Sequence, residues 1–263
     1  MKKHALTLAI IASAATSLSA TADQASLPGG TASSQISHAA VVDSLNQGID
    51  LSRLSTEPGV HIVPLEQSAF RGALANAIRQ EIDAQANQGS YAPASGAVPD
   101  LRASLRGASP ASGRTRMRMD DPTYPTLELA RPHLRYEPAS VAGTSLATAA
   151  LQDVATGGQV ASGRWSGVTR TWEVAGLGVV QLDESEFRET GGSITVIKEW
   201  LNADVSGYPA TLKTMRVASG NTLVSVAWAT DTTSYRLDLQ PLDPAALRVN
   251  EKILLELANG IGK

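Results

Sequence analysis

The chain has 263 residues, of which 43% are hydrophobic, and a formal net charge of -3 at pH 7. It contains no cysteine, which excludes disulfides, thiolate metal sites and cysteine nucleophiles. The mildly acidic balance does not suit a polyanionic partner, so we expect no nucleic-acid binding. The fold must therefore be stabilised by an ordinary apolar core.

The first 22 residues have the organisation of a cleavable export signal. Lys2 and Lys3 form a basic start, an apolar run follows over residues 5–15, and an Ala-x-Ala site ends at Ala22. The run is shorter than the roughly 18 to 20 residues that cross a bilayer, which argues against a membrane anchor. We therefore predict a signal peptide over 1–22 and a mature protein that is free in the periplasm or secreted. Removal of the two lysines changes the formal charge from -3 to -5.

Residues 23–85 are predicted to form an N-terminal helical segment with two amphipathic helices. Apolar residues recur at helical spacing over residues 41–49, behind a candidate cap at Ser37, and again at Phe70, Leu74, Ile78 and Ile82. Residues 86–130 are predicted to be a disordered linker, because 19 of the 28 residues in 86–113 are Ala, Ser, Gly or Pro.

Residues 131–263 are predicted to form an antiparallel α+β domain. Tyr235, Leu237 and Leu239 alternate with polar residues, as half-buried strands do. Strands are expected near 168–174, 177–183, 193–204, 209–217, 222–230 and 233–240, and such short connections join antiparallel neighbours. The predicted fold is thus an antiparallel β-meander of about six strands. A C-terminal helix from Asp243-Pro244 to Gly260 closes it by packing across the concave face of the sheet.

Four segments of this domain resemble known envelope proteins. They are RYEPASVAG (135–143), VSGYPATL (205–212), VSVAWAT (224–230) and SYRLDL (234–239), followed by the closing helix. In this order they are similar to the half-barrel modules of MucB/RseB-type sigma-factor regulators and LolA-type lipoprotein carriers. The resemblance covers residues 131–263 and implies a binding role in the bacterial envelope. No functional residue of either family carries over to this chain.

The sequence contains no recognisable catalytic arrangement. A Gly-x-Ser-x-Gly nucleophile turn, a His-Glu-x-x-His metal motif, an acidic calcium loop and a Gly-rich phosphate loop are all absent. We therefore predict no catalytic residue, metal ligand or cofactor. Cleavage leaves three histidines, His38, His61 and His133, which keep a hydrolase of unfamiliar type open as an alternative.

The aromatic residues are the remaining candidates for a site. Tyr208, Trp165 and Trp200 flank predicted strand ends, where an exposed ring could anchor a partner, and we predict that they bind one. Trp172 and Trp228 are instead predicted to fill the inside of the sheet.

Three functional hypotheses follow from the sequence. The leading one is an exported, non-enzymatic envelope protein that binds a macromolecular partner in the envelope or outside the cell. One version of it is an immunity protein against a periplasmic toxin. The alternatives are a periplasmic carrier of a lipid or other apolar ligand, and the hydrolase.

Overall fold

The computed structural model describes residues 8–10, 48–93, 96–105, 122–189, 191–218 and 220–263. They form eleven strands and four α-helices. The strands are β1 (Leu8–Ile10), β2 (Gly59–Val63), β3 (Thr123–Tyr124), β4 (Ala150–Ala161), β5 (Arg164–Val174), β6 (Gly178–Glu186), β7 (Ser193–Ile197), β8 (Ala203–Val205), β9 (Tyr208–Arg216), β10 (Thr222–Ala229) and β11 (Thr233–Pro241). The helices are α1 (Gly72–Gln88), α2 (Leu101–Leu105), α3 (Leu127–Ala130) and α4 (Leu247–Gly260).

The predicted antiparallel sheet with a C-terminal helix is confirmed, but the sheet has eight strands in the order β3-β4-β5-β6-β11-β10-β9-β8. It is not one meander. Two meanders, β3 to β6 and β8 to β11, join where β11 pairs with β6. The register sets Leu237 opposite Leu182 and Leu239 opposite Val180, which brings the apolar faces of both strands to the same side.

The predicted strand over 193–204 is wrong in its length and in its pairing. β7 ends at Ile197 and lies in a separate three-stranded sheet, between β1 and β2, with parallel pairing on both sides. All five of its residues are buried, and such a run fits a strand covered on both faces better than an alternating one. A helical turn over Lys198–Trp200 then leads the chain back to the main sheet at β8.

The inner face of the main sheet packs against α4. The buried side chains of this inner core are those of Leu146, Trp172, Val180, Leu182, Val205, Ala210, Val224, Val226, Trp228, Leu237, Leu239, Leu254, Leu257 and Ala258. The prediction that Trp172 and Trp228 fill the inside of the sheet is confirmed. α4 begins at Leu247 rather than at Asp243, because the Asp243 carboxylate accepts a hydrogen bond from the Ala245 amide and caps a separate turn.

The outer face packs against the N-terminal segment. The first predicted helix lies, up to residue 47, outside the part of the chain that the structure describes. The second predicted helix is present as α1. Part of the predicted linker is docked on the sheet: the backbone of Tyr91 bridges to Met215, and Leu101 is 1% exposed. The Arg102 amide also donates to the Gln240 side chain. A few apolar anchors therefore order residues 91–93 and 96–105 despite their composition, while residues 94–95 and 106–121 lie outside the described part.

A buried ion pair fastens the segment around residue 139 to the inner face. Arg170 Nη2 lies 2.6 Å from Glu184 Oε1, and the two side chains are 3% and 0% exposed. Arg170 also donates to the Ala139 carbonyl, and the Ala139 amide donates to the Glu184 carboxylate. Burial raises the pKa of the Glu184 carboxyl above its ordinary value, although the Arg170 guanidinium opposes the shift.

Replacing one member of this pair should destabilise the fold strongly. We expect Arg170→Met to lower the free energy of unfolding by about 3–5 kcal/mol, because it leaves a buried carboxylate without its counter-charge. The double variant Arg170→Met/Glu184→Leu should recover most of the loss, since neither charge remains. Urea denaturation followed by circular dichroism measures both, and an Arg170→Met protein as stable as the wild type would contradict this account.

Candidate functional site

One end of the main sheet carries a small apolar cavity. At this end β5, β9 and β11 begin and β6 and β10 finish, as their registers require. The cavity, which we call the notch, lies between the β2–β7 pair and the outer face of the main sheet. Its volume of about 30 Å³ suits one small side-chain group rather than a small-molecule ligand. The notch is lined by Val60, Ile62, Val196, Leu201, Pro209, Thr211, Ala227, Trp228 and Ala229.

The mouth of the notch is an exposed apolar surface. Val60 is 37% exposed and Ile62 is 46% exposed, although both line the cavity. The alternation of β2 puts them on one side of the strand and His61 on the other. Pro209 at the start of β9 is also exposed. Large exposed apolar groups gathered around a cavity are typical of surfaces that contact other molecules.

Tyr208, a predicted partner-binding residue, lies at the same strand end. Its side chain is 37% exposed, and it precedes Pro209, so the two residues flank the start of β9 from its two sides. The β8–β9 hairpin turns at Ser206 and Gly207, which both have positive φ. The Asp204 carboxylate accepts a hydrogen bond of 2.8 Å from the Gly207 amide. A turn of this kind matches the twist of the strands and holds their ends in place.

The other two predicted residues lie elsewhere. Trp200 is 2% exposed and lies in the apolar cluster between the outer face and α1, where its ring centroid lies 5.6 Å from that of Tyr91. It offers no surface to a partner. Trp165 is half-buried at the start of β5 beside Leu134. It lies four strand spacings from β9, about 19 Å across the sheet, and so does not share a surface with Tyr208.

The notch residues of β2 carried a signal that could have been found. Residues 59–63 read GVHIV, with β-branched side chains at alternate positions between Pro58 and Pro64. That is a short strand pattern. Its pairing with residues 193–197, more than 130 positions away, leaves no trace in local periodicity.

A layer of buried charge lies between the outer face and α1. The Lys213 side chain is 4% exposed, and its Nζ lies 3.7 Å from the centroid of the Trp200 ring. Burial lowers the pKa of Lys213 to about 7, although the negative charge of Glu81 opposes the shift. The indole face also favours the ammonium form. Nearby, Arg236 pairs with Asp183 at 2.6 Å and with Asp238 at 3.1 Å.

This desolvated lysine should make stability depend on pH. Its folded-state pKa of about 7 lies below the ordinary 10.5, so the unfolded chain binds more protons between these values and stability rises with pH there. We expect a gain on the order of 2–3 kcal/mol between about pH 7 and about pH 9.5, measured by urea denaturation. The gain should vanish in Lys213→Met and persist in the control Lys198→Met, whose side chain is exposed. An unchanged gain in Lys213→Met would refute the assignment.

The space between α4 and the sheet, where a carrier would hold an apolar ligand, is filled by the inner core. An open groove of about 670 Å³ lies beside α4, bordered by Leu212 of β9, and carries both signs of charge. Its lining residues are Gly143, Leu212, Arg248, Glu251, Lys252, Leu255, Glu256, Asn259, Gly260 and Lys263.

Two of the three histidines beyond residue 22 take part in local contacts. His61 Nε2 lies 2.8 Å from the carbonyl oxygen of Glu57, and the His133 ring stacks on Tyr124 with centroids 5.1 Å apart. His38 lies outside the described residues. Within the described ranges, no three His, Cys, Asp or Glu side chains are grouped so that they could hold a metal ion.

No family model, curated protein or solved structure matches this chain. Among the helices that the structure describes, none combines the length and the apolar character needed to cross a membrane.

Proposed function

We propose that the chain is the precursor of an exported bacterial envelope protein whose mature form binds a macromolecular partner. The observation that carries this proposal is the exposed apolar surface around the notch, formed by Val60, Ile62 and Pro209. The leader-like organisation of residues 1–22 supports the exported location.

The surface has the properties of a protein contact. The notch is too small for a ligand of ordinary size, but it can take the tip of one apolar side chain. Such an anchor in a pocket, surrounded by further apolar contacts that exclude water, supplies most of the binding energy in many interfaces. The strand ends around the notch belong to paired strands, so the surface is held in shape before the partner arrives.

One version of the proposal is an immunity protein that covers a toxin active in the periplasm. The mature charge of -5 favours a basic partner, because complementary charge speeds association and disfavours other partners. In this version the protein acts by covering its partner, and no catalytic residue is needed.

The first test concerns export. The protein expressed with its own leader should fractionate with the periplasm and begin at Asp23 by N-terminal sequencing. Ala20→Arg should block cleavage, because signal peptidase sites need small residues at both Ala positions of Ala-x-Ala. The neighbouring Thr21→Arg, at the variable position, should still be cleaved. A protein that begins at Met1 and stays in the cytoplasm would overturn the proposed location.

The second test concerns the contact surface. The mature chain, used as bait in extracts of the native envelope, should retain a protein that Pro209→Glu loses by at least about tenfold, since the new carboxylate would be buried without a partner. Val249→Glu is the matched control, because Val249 is 57% exposed on the far side of α4. Retention by the wild type and both variants alike, or by none of them, would count against the notch as the binding surface.

A further inference from the structure

The outer edge of β2 is the place where the described part of the chain could pair with a further strand. β2 is the last strand of the three-stranded sheet, and no described strand lies on its other side. Natural edge strands are usually protected by charged side chains, prolines, bulges or covering loops, and in β2 the prolines stand only at the two ends. β2 instead has the sequence GVHIV, without a formal charge, and both of its large aliphatic side chains at the notch are exposed.

The flanking prolines define how far a new strand can pair. Pro58 precedes β2 and Pro64 follows it, and neither has a backbone N–H to donate. A ladder on this edge is therefore limited to residues 59–63. The centre of this stretch is His61.

The same stretch is complementary to itself. In an antiparallel pair of two identical strands related by a two-fold axis at His61, Val60 faces Ile62 of the second copy, and Gly59 faces Val63. The prolines then face each other beyond both ends of the ladder. Each exposed aliphatic side chain gains an aliphatic neighbour, and no two formal charges are opposed.

We propose that two copies of this chain associate through the outer edges of their β2 strands, antiparallel about a two-fold axis at His61. The pairing joins the β2–β7 pairs of both copies into one sheet and places their notches side by side. It goes beyond the proposed function, since it doubles the contact surface without using Pro209 or Tyr208. A five-residue ladder buries much less than the roughly 1,600 Å² of a standard interface, so the dimer forms at high protein concentration.

Cysteine cross-linking tests the register directly, because the chain has no cysteine of its own. His61→Cys should form a disulfide-linked dimer under a mild oxidant, since residues opposite each other on an antiparallel pair have Cα atoms about 4.5–5.5 Å apart, within disulfide range. Val60→Cys alone should cross-link poorly, because its copies lie on a diagonal at about 7–8 Å. A mixture of Val60→Cys and Ile62→Cys should cross-link efficiently between the two variants. Val249→Cys is the control, because an exposed cysteine outside the proposed interface measures the rate of cross-linking by random collision.

Sedimentation velocity gives the second readout. The wild type should shift from monomer towards dimer as its concentration is raised, and His61→Lys should remain monomeric, because its two ammonium groups would face each other across the axis. The conservative control His61→Gln should behave as the wild type. A wild type that stays monomeric at every soluble concentration, or His61→Cys cross-linking no faster than Val249→Cys, would overturn the proposal. Neither result would affect the envelope partner, whose capture is judged by Pro209→Glu.

Discussion

The pairing of β6 with β11 is the interaction on which the rest of the fold depends. Nine residue pairs, from Thr233 opposite Glu186 to Pro241 opposite Gly178, join two meanders that would otherwise be separate. Gly178 permits the close approach at one end: its φ is +138°, and a Cβ there would overlap the Gln240 carbonyl oxygen. The junction produces an inner face wide enough for α4 and an outer face wide enough for α1. It also requires the chain between β6 and β8 to leave the main sheet, which is how β7 comes to lie beside β2.

The two faces accommodate buried charge in different ways. On the inner face, Arg170 and Glu184 neutralise each other and bind the backbone of Ala139, so the cost of their dehydration is offset by fixing one segment of the chain. On the outer face, the Lys213 ammonium lies over the face of the Trp200 indole, with Nζ 3.7 Å from the ring centroid. The inner pair therefore specifies a connection, whereas the outer lysine is held by packing. Trp200, which supplies this indole, is the buried last residue of a turn whose other two residues, Lys198 and Glu199, are exposed.

Alternation and helical spacing predicted β9, β11, α1 and α4, because such patterns record burial directly, whereas β10 is buried at every position and was bounded by the turn residues on both sides of it. The sequence pattern placed a strand over 193–204 but could not give the length or the parallel pairing of β7, which is buried on both sides, and it missed β4, whose register is broken by two irregularities opposite β5. Composition suggested a linker where Tyr91 and Leu101 dock, since few anchors in a long polar segment hardly change its average. Tyr208 was predicted as an aromatic beside a Ser-Gly turn and lies next to Pro209 of the notch, and its role in binding stays a prediction. The notch combines residues near 60, 200 and 228, and only the fold brings these together.

The strand β1 has a consequence for the timing of folding. Leu8–Ile10 lies within the apolar run that we propose as the export leader, yet it pairs with β7 as a strand of the folded chain. A precursor that folded before translocation would thus have three residues of its proposed leader, Leu8–Ile10, paired with β7. A precursor of this kind must reach the membrane before its three-stranded sheet has assembled. The long separation in sequence between β1 and β7 favours delivery before folding, because contacts between distant segments form late.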